Sequence, residues 1–275
     1  MARRGKAFLL IFGAVLVSNC LYGFTEAELA GGLAQMQASP RPAPESKRLA
    51  ETLNQAVHSY QSVRDYQAVF YKAERSEKGG LEPLEKIFLK FEKPWKIYMK
   101  WLNTDKKGLE VLYEKGKNSG KLAIHKPGLF LGLAPVVFLD QNSPWVRKGS
   151  SSYDIEDAGI GTFLFDFTNA VVKASTNNRL KAVFLGRTKF KEGFVGKWDV
   201  TFLEPENTPG FFARRVLVFF DEKHHLPIQM ELFDWQDKAM GIYEYQNLKI
   251  NIGEDPEFKK EIHRQLYKVY SRNTR

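Results

Sequence analysis

The sequence predicts an α+β fold: one domain with an antiparallel sheet of about ten strands, long enough that it must curl, whose concave face is filled by helices or leaves a cavity. Three observations carry this. Two stretches each hold five short segments of alternating apolar and polar residues separated by turn residues, which is the pattern of an antiparallel meander. Stretches with apolar residues every three or four positions stand before, between and after them. No strand–helix–strand rhythm repeats, which argues against a parallel nucleotide-binding sheet. The chain is long enough to bury a large core, with 275 residues, 43% of them hydrophobic and 13% aromatic. Aromatic residues bring large apolar area and favour strands.

The first residues read as an address. Arg3, Arg4 and Lys6 precede the uncharged run Ala7 to Ser18, and small residues follow at Gly23 and Ala27. That order is a secretory signal peptide, spanning residues 1–27, and the apolar run is too short to cross a bilayer. Val17-Ser18-Asn19-Cys20 half resembles a lipobox, with Asn19 in a place that normally takes a small residue. Cleavage before an acylated Cys20 and ordinary cleavage after Gly23 or Ala27 are therefore both open. Cys20 is the single cysteine, so neither an intramolecular disulfide nor a thiolate zinc cage is available. Residues 28–45, rich in Ala, Gly, Gln and Pro, read as a flexible tether.

A single domain is expected over 46–275. Leu49, Leu53, Val57 and Tyr60 give the first helix one apolar stripe, with His58 beside it and Lys47, Arg48, Glu51 and Gln55 elsewhere. Strands are expected at Tyr66 to Arg75, Leu84 to Glu92, Trp95 to Leu102, Leu109 to Glu114 and Lys121 to His125. In the clearest of them Trp95, Ile97, Met99 and Trp101 share one face, and Lys96, Tyr98 and Lys100 the other. The first face is expected to be dry and the second solvated. Lys126 to Leu139 carries apolar bulk broken by Pro127, Gly128, Gly132 and Pro135, which suits either a buried loop or a lid over a hydrophobic mouth. A second helix runs from Ile160 through Phe163, Leu164, Phe167 and Val171 to Asn177. Five more strands follow at Lys181 to Lys191, Phe194 to Leu203, Phe211 to Asp221, Pro227 to Trp235 and Met240 to Ile250. Pro256 opens a final amphipathic helix on which Phe258, Ile262, Leu266 and Val269 share a side.

Signatures of catalysis are missing: no HExxH, GxSxG, P-loop, GxGxxG or EF-hand loop occurs. The sequence therefore reads as a non-enzyme without cofactor or metal site. His224 and His225 are adjacent in a turn and point apart, which makes a poor metal site and suits exposed turn histidines. Asp154, Glu156 and Asp157 precede the second helix, where carboxylates favour its N-terminal dipole. The formal net charge of +9 would suit nucleic acid, but export removes that partner.

The order of exported leader, helix, five-strand meander, helical middle and five more strands resembles the superfamily of the periplasmic lipoprotein carrier LolA and its outer-membrane receptor LolB. More narrowly, Glu92-Lys93-Pro94-Trp95-Lys96-Ile97-Tyr98, Gly108-Leu109-Glu110-Val111-Leu112-Tyr113, Gly116-Lys117-Asn118, Asp157-Ala158-Gly159-Ile160, Leu226-Pro227-Ile228 and Tyr243-Glu244-Tyr245 resemble the bacterial family known as domain of unknown function 1571. Together they cover roughly Leu49 to Ile250.

The resemblance implies a LolA-like fold, a single strongly curved antiparallel sheet forming an incomplete β-barrel closed by helices, with an apolar cavity for acyl chains or an apolar polypeptide segment, in a periplasmic carrier or an anchored receptor. The expected ligand-lining residues are Trp95, Ile97, Met99, Trp101, Phe130, Val137, Phe138, Trp198, Val200, Phe202, Val216, Val218, Ile228, Met230 and Leu232. Expected partners are lipid or lipoprotein acyl chains, an envelope or membrane protein, and an anionic membrane surface facing the basic strand faces. The alternative is an envelope protein-interaction or stress-sensing module on the same fold.

Overall fold

The computed structural model describes residues 26–38, 44–76, 79–127, 136–147, 155, 158–191, 193–253 and 256–272. Residues 1–25 of the leader, Cys20 among them, and Asp154, Glu156, Asp157 and the segment 128–135 lie outside them. The described chain is built on an open sheet of 11 strands in the order β6-β5-β4-β3-β2-β1-β11-β10-β9-β8-β7, antiparallel throughout. The first meander supplies β1 (Asp65–Glu74), β2 (Glu85–Glu92), β3 (Lys96–Trp101), β4 (Glu110–Glu114), β5 (Leu122–His125) and β6 (Val137–Leu139). The second supplies β7 (Leu180–Phe190), β8 (Gly193–Phe202), β9 (Arg215–Asp221), β10 (Pro227–Phe233) and β11 (Ala239–Ile250). The first and last strands, β1 and β11, pair and weld the two meanders together. Asp65 locks the seam, its carboxylate accepting the backbone N–H groups of Ile252 and Gly253 at 3.0 Å.

The extra strand relative to expectation is β6. Its three residues pair with β5 and form one edge of the sheet, and β7 forms the other.

Three helices cover one face: α1 (Glu26–Ala38), α2 (Pro44–Gln61) and α4 (Ile160–Thr176), with the short α3 (Pro144–Arg147) in the crossing segment between edges. The tether expectation fails over 28–38. Leu29, Leu33 and Met36 of α1 recur at helical spacing and are buried, and α1 lies against α2 and α4. A Cβ at Gly32 would meet Val172 Cγ1 at 2.8 Å, so glycine permits this close helix approach.

Helix α4 starts where its apolar spacing starts. The N–H of Ile160 donates to the Tyr66 hydroxyl at 3.1 Å, which satisfies one of the free donors of the first turn. Burial pushes the Tyr66 phenol pKa well up, with the neighbouring Tyr245 and Tyr60 adding to the rise. The phenol therefore stays neutral as a cap.

On the opposite face sit α5 (Pro256–Glu261) and α6 (Arg264–Arg272). The expected single C-terminal helix is broken between them, because the N–H of His263 donates to Glu110 Oε2 at 2.8 Å instead of continuing the ladder.

Candidate functional site

Pleating divides β3 between two interiors. Ile97, Met99 and Trp101 face α1, α2 and α4; Tyr98 faces α5 and α6. Register extends each assignment across the sheet. Met99 lies opposite Leu89 and Val111, whereas Tyr98 lies opposite Lys90 and Leu112.

On the helical face, Ile97, Met99, Trp101, Trp198, Val200, Phe202, Val216, Val218, Met230 and Leu232 join one continuous buried cluster with residues of the three helices. Trp95 packs against it, edge-on to Phe91 with ring centres 4.9 Å apart. Leu164, Phe167 and Val171 of α4 fill the middle, and the Phe167 ring meets Phe202 at 6.3 Å.

Two expected lining residues lie elsewhere. Ile228 is half-buried outside the cluster, at a register shift between Pro227 and Gln229, and Leu226 takes an inward place instead. Phe138 pairs with Ala123 and so shares the face of α5 and α6, opposite to Val137, and is 43% exposed. Phe130 falls outside the described residues. Val137, half-buried, pairs with Ile124 on the helical face.

At the β3–β4 end of the cluster Met99 and Val111 are each 7% exposed and Trp101 8%, which matches Ala182 on β7. The Trp101 indole nitrogen there is buried and has no acceptor among the described residues. A buried donor without a partner costs about 1–3 kcal/mol.

The second face is not solvated, contrary to the expectation from Lys96, Tyr98 and Lys100. Phe258, Ile262, Leu266 and Tyr270 of α5 and α6 close over Tyr98, Leu112 and Ala123. Lys90 and Lys96 are buried beneath them. Lys90 Nζ donates to the Gly253 carbonyl at 2.7 Å, and Lys96 Nζ to the Tyr270 carbonyl at 3.2 Å while lying 3.5 Å from the Tyr270 ring centre. Desolvation pulls the Lys96 pKa down, against the upward influence of Glu92 and Glu114. Tyr98 donates to Glu110 Oε2 at 2.7 Å, and burial with that carboxylate pushes its pKa up. The His125 and His263 rings stack at 3.7 Å. These lysines are held inside the fold, so a basic strand surface for anionic headgroups does not exist at Lys90 and Lys96.

The two turn histidines are also better held than expected. His224 Nδ1 lies 2.7 Å from Asp221 Oδ2, and His225 Nε2 lies 3.1 Å from Gln55 Nε2 on α2. They point apart, as adjacent residues do. His225 lines a pocket of about 130 Å³ between α2 and β7–β9, together with Arg48, Thr52, Phe184 and Trp198. Sequence reasoning left this pocket unseen, although Arg48, Thr52 and Gln55 recur at i, i+4 and i+7 away from the apolar stripe of α2. Among the described residues no cluster of three or more His, Cys, Asp or Glu is placed to hold a metal ion. No described helix is long and apolar enough to cross a membrane.

Comparison with known proteins gives the following. No curated protein matches the sequence. The chain is similar in structure to the Mycobacterium tuberculosis lipoprotein LppX, at TM-score 0.45 and 9% identity, with 76% of this chain and 99% of that one covered. It is similar to a LolA superfamily protein from Nitrosomonas europaea, at TM-score 0.32 and 9% identity, covering 79% and 97%. It is similar also to a chain of the Pseudomonas aeruginosa MucA/MucB complex, at TM-score 0.41 and 12% identity, covering 80% and 61%. The model of the family described as protein of unknown function DUF1571 matches residues 63–262, from just before β1 through α5, and the chain belongs to that family.

Proposed function

We propose that this protein binds a hydrophobic ligand, a lipid or the acyl chains of a lipoprotein, between its sheet and its helical cover, as a non-enzymatic carrier or receptor in the bacterial envelope. The observation that carries the reading is Trp101. Its indole N–H is buried without an acceptor among the described residues, at a slightly exposed end of an otherwise apolar cluster. An acyl ester or amide carbonyl seated beside Met99, Trp101 and Val111 would accept that hydrogen bond, and its chain would gain about 0.8 kcal/mol for each buried CH₂. No covalent chemistry is required. The residues of the helical face from Trp95 to Leu232 named above form the wall against which α4 and the ligand compete.

The leader supports export: basic, apolar and small-residue regions stand in the order of a signal peptide. Cleavage after Gly23 leaves α1 whole, and cleavage after Ala27 trims its first two residues. Acylation at Cys20 would make the protein an anchored receptor rather than a soluble periplasmic carrier. Intact-mass measurement of protein from its own host separates these forms, and a full-length cytosolic species overturns the location. Native mass spectrometry followed by organic extraction tests the ligand. Lipid bound in stoichiometric amount is expected; protein free of lipid in the native host overturns the carrier reading.

The second reading, an interaction module, is favoured by β7. It is an 11-residue edge strand carrying the exposed Val183 and Leu185, and such an edge can pair with an extended segment of another protein. A stable protein complex in which the lipid site stays empty is its expected signature.

A further inference from the structure

The pocket between α2 and β7–β9 stands on the other half of the sheet from Trp101, and its chemistry is different. Its floor is aromatic, formed by Phe184, Trp198 and Phe220. Gly196 helps to open it, since a Cβ there would come within 3.3 Å of the Phe184 ring. Above this floor the Arg48 guanidinium lies 3.6 Å from the centre of the Phe184 ring and 5.9 Å from that of Trp198. Among the described residues no hydrogen-bond acceptor or carboxylate partners its N–H groups.

The two acids of the rim are already engaged. Asp221 bonds His224 at 2.7 Å, and Glu222 holds Arg187, with Nη2 to Oε2 at 2.7 Å. The Gln55 amide is engaged as well, its Nε2 lying 3.1 Å from His225 Nε2. What remains is one fixed cation and an apolar floor, beside a Thr52 hydroxyl that gives its proton to the Arg48 carbonyl at 3.1 Å.

We propose that this pocket is a binding site for a small monocarboxylate with an apolar body of about the size of a phenyl ring. A guanidinium laid flat on an aromatic ring keeps its planar fork of donors at its edge, where a carboxylate accepts two parallel hydrogen bonds. A cavity of roughly 150 Å³ holds benzene, so about 130 Å³ admits one ring or a short branched chain. The nearby Glu222 and Asp221 carboxylates disfavour a dianion such as a phosphate ester and select the single charge. The site lies apart from the Trp101 end where the acyl carbonyl is proposed to sit, although its floor residue Trp198 also belongs to the apolar wall of the helical face.

Ligand-detected NMR titration of the purified protein tests it, with benzoate as the probe and benzyl alcohol as its uncharged counterpart. Saturable benzoate binding with a Kd on the order of 1 mM is expected for so small a ligand, with benzyl alcohol at least about tenfold weaker. Arg48 is exposed, so Arg48→Gln should fold and lose benzoate affinity about tenfold, while Arg48→Lys, keeping the charge without the fork, loses less. Arg64→Gln, an exposed arginine outside the pocket, should change nothing. Absence of saturable benzoate binding, equal binding of benzyl alcohol, or equal losses in Arg48→Gln and Arg64→Gln would each overturn the site. Lipid content of the protein reads the acyl-chain proposal separately and does not enter these outcomes.

Discussion

Strand β3 serves two interiors that are held together in different ways. On the helical face Ile97, Met99 and Trp101 meet other apolar side chains, and nothing fixes their partners except shape and area. On the other face Lys96, Tyr98 and Lys100 are each tied to a named acceptor, the Tyr270 carbonyl, Glu110 and the Glu261 carbonyl. The first interior can exchange one apolar neighbour for another at small cost. The second cannot lose its cover without leaving charges and donors unpaired in a dry place. A ligand site built by displacement therefore belongs on the helical face, and the C-terminal helices read as a permanent lining.

The largest expected effect separates core from ligand wall. Phe167 stands in the centre of α4 at zero exposure, so Phe167→Ala should cost about 3–5 kcal/mol in denaturant unfolding. A loss below about 1 kcal/mol would show that α4 is held weakly over the sheet, as a displaceable cover would be, and would move the ligand site from the rim to the centre.

On the second face Glu110 is the hub, accepting from the Tyr98 hydroxyl and the His263 N–H and facing His125. Glu110→Leu leaves both donors without an acceptor and should cost about 3 kcal/mol. Tyr98→Phe removes one hydrogen bond and should cost about 1 kcal/mol. Equal costs for the two variants would mean that apolar contact with Phe258 and Leu266, not the polar network, holds α5 and α6 in place.

Much of this architecture was legible in sequence because its signals are local. Ten strands and the helix from Ile160 to Thr176 follow from alternation and spacing within short windows. The second face was misread although both of its halves were seen: the stripe Phe258, Ile262 and Leu266 needed a surface, and Lys96, Tyr98 and Lys100 looked wet. Their pairing is a contact across about 160 residues of sequence, and a lysine looks solvated until its acceptor is known. Helix α1 was read as a tether because Gly31 and Gly32 weaken its local signal, whereas packing against Val172 decides it. That the named residues of β3, β8, β9 and β10 share the helical face is legible from pleating. The place of Ile228 is not, because one register shift in β10 moves it out of sequence parity. The Arg48 pocket needs three strands and a helix to exist at all.

The pH response belongs to the second face. The His125 pKa is held below the ordinary histidine value, first by desolvation and then by His263 stacked on it, with Glu110 pulling the other way and Lys100 adding to the fall. The unfolded chain then binds a proton near pH 6.5 that the folded chain refuses. Stability should fall as the pH drops below that value and level off below the lowered folded pKa. Melts of the wild type and His125→Asn between pH 7.5 and 5 check this, as values on the order of one unit either side of the histidine range. A slope that persists unchanged in His125→Asn assigns the effect to another group and removes the titratable element from this face.

The smallest stability effect carries the most about function. Trp101→Phe keeps a large apolar ring at the rim and removes a buried donor that has no acceptor among the described residues. If that N–H is unpaired in the ligand-free protein, its removal relieves the cost of burying it, and the ligand-free variant should be as stable as the wild type or up to about 1 kcal/mol more so. The same change deletes the hydrogen bond offered to an acyl carbonyl, so lipid retained through purification should fall although the folded protein is intact. Opposite signs in the two measurements are what a ligand-directed donor produces. A tryptophan that only packs would lose stability with its lost ring area and leave the lipid content alone, and in that case the helical face is core throughout and the edge of β7 becomes the surface to pursue.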